Sequence, residues 1–425
     1  MKQKENKGLA DEMMRPELKA LSLFSGIGGF CESFRMAGFK VVGAVENDKY
    51  AVQTYAANFP DTPLFTEDIC TFLPENDMEV CDQHLEKYAS AGDIDVIFGG
   101  PPCQGYSQIG PRDVKDPRNF LYKEFCRIVR KIMPDFVVIE NVPNMFLMNK
   151  GQFKEEIFRE LKRSGYGNIG WRKLDASEFG VPQKRNRIFV VASRNGLQCR
   201  AAQNLLESAE SSLAQPIVSV NEAISDLPAE VASDSGVELE YSAKHEVSNF
   251  QKEMRLDFDG DFYSAAHKTD WLRHHASNIS LHNHHTKEIQ QKRQTLIGML
   301  RPGQKANSLP KSVWDNARPE KWRRFDPDKP AHTLLAQMHR DLSEWIHPHH
   351  NRWITVREAL RLQSFHDGFV LKTSEWQQLK QVGNAVPPLL GYVPAMSVRL
   401  GLTGVRGLPA PFEEIGEPDL FRAMA

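Results

Sequence analysis

The residue best placed to do chemistry is a cysteine. In Asp95-Val96-Ile97-Phe98-Gly99-Gly100-Pro101-Pro102-Cys103-Gln104-Gly105-Tyr106-Ser107, an apolar run with the look of a buried strand leads straight into two glycines and two prolines. A lone cysteine is usually a small buried hydrophobe. Here a stiff turn delivers the thiol to a strand end, with Gln104 and Gly105 after it instead of an apolar run, the setting of a nucleophile that must ionise to react. A second run, Phe136-Val137-Val138-Ile139-Glu140-Asn141-Val142-Pro143, ends on an acid in the same way. Glu140 is the candidate proton donor. If both strands belong to one sheet, thiol and carboxyl address one substrate.

A ligand site is expected beside them. Phe24-Ser25-Gly26-Ile27-Gly28-Gly29 follows an earlier strand and opens a helix, where glycines let a ligand approach the backbone closely. Its spacing is not the GxGxxG of dinucleotide sites. Glu46 ends the next strand, where an acidic side chain accepts hydrogen bonds from both ribose hydroxyls of a nucleoside. No phosphate-binding lysine of the GxxxxGK(S/T) type is nearby, so the ligand expected is a nucleoside without phosphates, of which S-adenosylmethionine is one. Asp68, in Thr66-Glu67-Asp68-Ile69, stands where a third strand end would meet the adenine.

The elements that must carry these residues are legible in the hydropathy pattern. Strands are expected at Ala20–Phe24, Val41–Val45, Val96–Phe98, Phe136–Ile139 and Ile188–Ala192, alternating with helices at Phe30–Ala37, Lys49–Asn58, Asn119–Ile132 and Phe153–Arg163. Such alternation means an α/β fold with a doubly wound, mostly parallel sheet, and ligands at the carboxyl ends of its strands. Beyond Ser193 the pattern breaks, and a second, smaller domain of different construction is expected. Residues 201–266 hold 13 Asp/Glu against 3 Lys/Arg, whereas residues 267–352 hold 15 Lys/Arg against 8 Asp/Glu and 11 of the 14 histidines. The net charge of −2 hides this split, and the basic block suits phosphate neutralisation.

The 425 residues, 41% hydrophobic and 25% charged, exclude a disordered or collagen-like chain and suit two or three domains. Six scattered cysteines without CxxC pairs argue against a disulfide framework or zinc site. The polar opening Met1 to Lys19 and the lack of any bilayer-length apolar run lead to the expectation of a cytoplasmic protein without a membrane segment.

Taken together, these segments resemble the DNA (cytosine-5) methyltransferases. Besides the Phe24–Gly29 turn, the Pro101-Pro102-Cys103-Gln104 loop and Glu140-Asn141-Val142, there is Gln183-Lys184-Arg185-Asn186-Arg187, similar to the family's Gln-x-Arg-x-Arg. Arg357-Glu358-Ala359-Leu360-Arg361-Leu362-Gln363-Ser364-Phe365 resembles the motif that organises the recognition domain, although His366 stands where that motif often has Pro. Gln381-Val382-Gly383-Asn384-Ala385-Val386 resembles the last cofactor-binding motif. The resemblance implies methyl transfer from S-adenosyl-L-methionine to carbon 5 of a cytosine flipped out of duplex DNA, through a covalent thiol adduct at carbon 6. It further implies that Arg185 contacts the flipped base, with Arg187 beside it in the catalytic set. The cofactor pocket would comprise Phe24, Gly26, Gly28, Gly29, Glu46, Asn47, Asp68, Ile69, Pro102, Leu121, Asn384 and Val386, with Asn384 folding back beside Phe24.

On that footing the chain divides into an N-terminal tail (1–17), a catalytic and cofactor-binding domain (18–199), a target recognition domain with its organising motif (200–372), a return to the catalytic domain (373–402) and a C-terminal tail (403–425). A monomer in a bacterial or phage setting is expected, with an accompanying restriction system as a further partner. An amino-group methyltransferase would carry an aromatic residue after Asp/Asn/Ser-Pro-Pro, and Gly100 and Cys103 argue against it. A tRNA cytosine-5 methyltransferase shares the same Cys and Glu, and the sizeable segment 200–350 favours duplex DNA over it. A non-catalytic DNA-binding homologue would have lost residues that are all present here. The clustered histidines (His282, His284, His285; His347, His349, His350) lack an acid or cysteine at ligand spacing, so no metal is expected.

Overall fold

The structure is a computed structural model that describes residues 17–88, 94–102, 121–147, 151–232, 234, 236–241, 247–256, 281–314, 322–336 and 345–406. Cys103, and with it the rest of its loop to Phe120, lies outside the described residues.

The first strand, β1 (Leu18–Leu23), is buried almost throughout, as a strand covered on both sheet faces must be. It runs through the glycine turn into α1 (Gly29–Met36), followed by β2 (Phe39–Val45). The next helix, α2 (Lys49–Asn58), starts at Asp48, whose carboxylate accepts the backbone N–H groups of Tyr50 and Ala51. The short strand β3 (Leu64–Phe65) and the helix α3 (Met78–Tyr88) precede β4 (Val96–Gly99). In α4 (Leu121–Ile132) the residues Tyr122, Phe125, Cys126, Ile128 and Val129 fall on one buried stripe. Then come β5 (Phe136–Asn141), the turn α5 (Asn144–Leu147), α6 (Gln152–Arg163), β6 (Asn168–Asp175) and β7 (Asn186–Ser193).

Seven described strands form one sheet in the order β3-β2-β1-β4-β5-β7-β6. The pairs up to β5 are parallel, and β7 runs antiparallel to both β5 and β6. From β1 the chain winds outward to β2 and β3, then crosses back to place β4 on β1's other side. That reversal opens a crevice at the carboxyl ends of β1 and β4. Two apolar cores flank the sheet. One joins Phe30, Phe34, Phe98 and Phe189 to the long C-terminal helix, and the other joins Phe65, Phe125, Ile139 and Ile157.

After the sheet, α7 (Ala202–Ser212) packs on β6 and on the last helix. Short helices follow: α8 (Val220–Ile224) and α9 (Asn249–Arg255), each opened by a serine capping box, and α10 (Gln291–Gly298). A third, separate cluster of Ile297, Leu300, Ala306, Trp322, Ile346 and Trp353 gives this region its own core. The helix α11 (Val356–Leu362) begins with a capping box in which Thr355 and Glu358 satisfy each other's backbone N–H. Arg361 on α11 is fully buried between Asp226 and Asp367, and Arg255 also reaches Asp226. His366, which stands where the motif often has Pro, ties this segment to α1: its Nε2 lies 3.0 Å from Glu32, with both side chains buried. Finally α12 (Glu375–Asn384) leads into α13 (Pro388–Arg406), which packs along α1 and α7. Among the described residues no helix is long and apolar enough to cross a membrane.

Candidate active site

Three turns at the carboxyl edge of the sheet bound a cavity of about 960 Å³. The first is the glycine turn, where Phe24 and Gly26 both take φ +57° and Gly28 takes φ +98°. A Cβ on Gly28 would fall 2.1 Å from the Phe59 ring, so only glycine gives this left-handed start to α1. A Cβ on Gly29 would fall 2.3 Å from the carbonyl oxygen of Val386. The missing side chain therefore lets residues 384–386 close over the first turn.

Glu46 ties two of these turns together. Its Oε2 accepts the Gly26 N–H at 2.8 Å and its Oε1 the Asp48 N–H at 2.8 Å. Burial raises its pKa, against the lowering effect of those two N–H groups. Farther along the wall, Asp68 caps a short turn by accepting the Cys70 N–H at 2.9 Å.

The cavity edge at β4 and β5 carries the acid. Glu140 Oε1 lies 2.9 Å from Arg187 Nε, and a Cβ on Gly100 would fall 2.7 Å from Glu140 Oε2. Burial pushes the Glu140 carboxyl above its ordinary pKa, partly offset by the charges of Arg187 and Arg185. Asn141, the next residue, donates from Nδ2 to the Pro101 carbonyl at 2.8 Å. The end of β5 thus fixes the backbone two residues before Cys103.

Of the expected cofactor residues, Phe24, Gly26, Gly29, Glu46, Asn47, Asp68, Ile69, Pro102, Leu121, Asn384 and Val386 all line this cavity. Gly28 does not line it and instead sets the turn. Neither Arg185 nor Arg187 lines it either. Arg187 reaches it through Glu140, whereas the fully buried Arg185 donates to the carbonyls of Leu334 (2.8 Å), Gly383 (2.8 Å) and Ala385 (3.0 Å). In this structure, then, the Arg185 guanidinium is held by protein backbone. Both its terminal nitrogens join the segment around Leu334 to the wall around Asn384.

Sequence reasoning missed Gln377, Lys380 and Gln381, which line the cavity one and two turns before Asn384. The signal was available, because residues 377, 380, 381 and 384 share one face of a helix. Two of the clustered histidines serve local structure. His284 contacts the Pro228 carbonyl and the Thr355 hydroxyl, and His347 Nδ1 accepts the N–H groups of His349 and His350.

The charge of the lining selects among ligands. Among its described residues it carries six carboxylates (Glu46, Asp48, Glu67, Asp68, Glu124, Glu140) and one lysine, Lys380, which lies 3.4 Å from Asp48. Such a wall repels phosphates and suits a nucleoside with a positive charge. The volume fits one small cofactor plus a base.

The comparisons with known proteins agree. The model of the C-5 cytosine-specific DNA methylase family matches residues 18–397. The type II methyltransferase M.DdeI of Desulfomicrobium norvegicum is 34% identical over 393 residues, covering 88% of this chain and 86% of that protein. M.AgeI of Thalassovita gelatinovora is 30% identical, covering 91% and 100%. A crystal structure described as a candidate DNA modification methyltransferase encoded within an E. coli prophage superposes with a TM-score of 0.71 at 26% identity, covering 91% of this chain and all of that one. An acidic cavity at the β1/β4 crevice with room for a cofactor and a base, and a match over the whole sheet and half of the last helix, lead to one assignment: the chain belongs to the C-5 cytosine-specific DNA methylase family and is a DNA (cytosine-5) methyltransferase.

Proposed function

We propose that the cavity binds S-adenosylmethionine and that Cys103 and Glu140 act together on a cytosine turned out of duplex DNA. The observation that carries this reading is the setting of Glu140. It is a largely buried carboxyl at the cavity edge, held by Arg187 and backed by Gly100, and its neighbour Asn141 anchors the loop that leads to Cys103.

Glu46 would take the ribose hydroxyls of the cofactor, with Asp68, Ile69 and Phe24 on the adenine side and Asn384 and Val386 closing the pocket. Bound S-adenosylmethionine supplies a methyl group on a positively charged sulfur, an electrophile that needs a carbon nucleophile. Carbon 5 of cytosine is a poor one. The Cys103 thiolate adds to carbon 6 and turns the ring into an enamine, nucleophilic at carbon 5. Glu140 hydrogen-bonds or protonates ring nitrogen 3 as charge develops there, and its raised pKa keeps a proton available nearer neutrality than an ordinary carboxyl would. Loss of the carbon 5 proton to a base then lets the thiolate leave. A stacked base presents neither carbon to the cavity, so the cytosine must leave the duplex, at a cost of a few kcal/mol.

Residues 200–372, with their basic, His-rich block, are assigned to recognition of a specific duplex sequence, and a companion restriction enzyme fits this setting. Bisulfite sequencing of unmethylated plasmid after incubation with protein and cofactor tests the activity, with protected cytosines expected in one recurring context. Cys103→Ser is expected to abolish methyl transfer and the covalent complex with DNA containing 5-fluorocytosine, while cofactor binding persists. Turnover by that variant would refute the mechanism.

A further inference from the structure

Cys81 on α3 and Lys131 on α4 lie 50 residues apart in sequence, yet Lys131 Nζ is 2.6 Å from Cys81 Sγ. This is well inside van der Waals contact for nitrogen and sulfur and longer than a direct N–S bond. It is the span of two atoms joined through one shared oxygen with a bent geometry at that oxygen. The pair is also held in place. The Pro74 carbonyl receives both the Cys81 thiol at 2.9 Å and the Lys131 ammonium at 3.1 Å. One turn earlier on α4, Arg127 donates to the carbonyls of Phe72 (2.9 Å) and Leu73, which keeps the segment before Pro74 against the same helix. Cys81 is fully buried and takes part in no disulfide, while Lys131 is half-buried. Neither residue lines the active-site cavity.

We propose that Cys81 and Lys131 are a site of reversible oxidative cross-linking, in which a hydroperoxide joins Sγ to Nζ through a single oxygen. The step balances with hydrogen peroxide as oxidant. One peroxide oxidises the thiol to a sulfenic acid and releases water. A second oxidises the amine, after its extra proton passes to solvent, to a hydroxylamine and releases another water. The hydroxylamine oxygen then attacks the sulfenic sulfur, the S–OH bond breaks, and a third water leaves. Sulfur and nitrogen each lose two electrons. The held geometry favours this intramolecular route over attack by a free thiol or amine. The link would tie α3 to α4 directly behind the Ile69–Pro74 segment. Its precursor Asp68 lines the cavity, so oxidation would stiffen one wall of the site without touching the acid or the glycine turn.

The test treats the full chain with graded hydrogen peroxide and reads intact mass, peptide maps and melting temperature. Turnover is not the readout, because peroxide also attacks Cys103. The expected product is a peptide pair joined at Cys81 and Lys131 that has gained one oxygen and lost two hydrogens, is released by excess dithiothreitol, and accompanies a melting temperature raised by roughly 5 °C. A stray methyl group has nearly the same nominal mass but joins no peptides. Lys131→Arg keeps Cys81 and its packing, and is expected to show no joined peptides at any dose, as is Cys81→Ser. If Cys81 in the unaltered chain stays a free thiol, or passes to sulfinic or sulfonic acid without joining Lys131, the proposal is wrong.

Discussion

Replacing Arg185 with methionine separates two roles for this arginine, contact with the substrate base and assembly of the site. The structure gives it three carbonyl partners at 2.8–3.0 Å, all within the protein. Bonds to a charged donor are worth about 1.5–3 kcal/mol each, and three carbonyls left without a donor would alone cost more than most single substitutions do. Removing a buried cation returns part of this, because burial already disfavours the charged guanidinium. The net expectation is a loss of about 3 kcal/mol, which a domain of ordinary stability survives in folded form. Two of the carbonyls, those of Gly383 and Ala385, flank Asn384 in the cavity wall, so cofactor affinity is expected to fall roughly tenfold or more, equivalent to about 1.4 kcal/mol. Arg185→Lys keeps the charge but offers one point donor to three acceptors, and is expected to recover less than half of the loss. Urea denaturation and calorimetric titration with S-adenosylmethionine measure the two effects, and single-turnover methylation at saturating cofactor measures the chemistry. A methionine variant with unaltered denaturation midpoint and cofactor affinity, but with turnover lost, would show that Arg185 acts on the substrate and that this reasoning is mistaken.

Three further outcomes follow from the geometry. Gly100→Ala is expected to displace the Glu140 carboxyl, since the new Cβ would sit 2.7 Å from Oε2; methyl transfer should fall about 10²-fold with cofactor binding intact, as single-turnover and binding assays on one preparation would reveal. Because burial raises the Glu140 pKa, and the acid form is the proton donor, kcat/KM is expected to decline as pH rises through that value; Glu140→Gln should lose about 10²–10⁴-fold in rate and flatten this alkaline limb, and an unchanged limb would assign it to another group. Burial raises the Glu358 carboxyl, but Arg352 and His347 outweigh it and hold its pKa far below the ordinary 4.5, with Arg352 at 2.7 and 3.0 Å. A depressed carboxyl gives stability that is present above the unfolded value of about 4.5 and is lost as pH falls toward the folded one, so Glu358→Gln should cost about 3–5 kcal/mol at neutral pH and reduce the acid dependence of the denaturant midpoint.

How far the sequence could be read depended on what each signal encodes. Parallel strands buried on both faces leave unbroken apolar runs, so β1, β2, β4, β5 and β7 were expected within two residues of where they lie, and with them the strand-end positions of Glu46 and Glu140. The edge strand β6 was not, because Asn168–Asp175 is half-exposed and reads as polar, and β3 is only a two-residue pairing of Leu64 and Phe65 with the end of β2. The charge split also had a second meaning. Part of the acidic block is internal, since Asp226 neutralises Arg361 and Arg255 instead of facing solvent. Arg185 marks the sharper limit. A motif records that a guanidinium is needed, but its partners lie 149, 198 and 200 residues away, and only the folded backbone decides which carbonyls meet it. The same closure explains the glycine turn. Gly29 was readable as a place for close approach, yet what approaches is the Val386 backbone as well as a ligand, so one absent side chain brings the two ends of the catalytic region together and completes the cavity in which Glu140 stands.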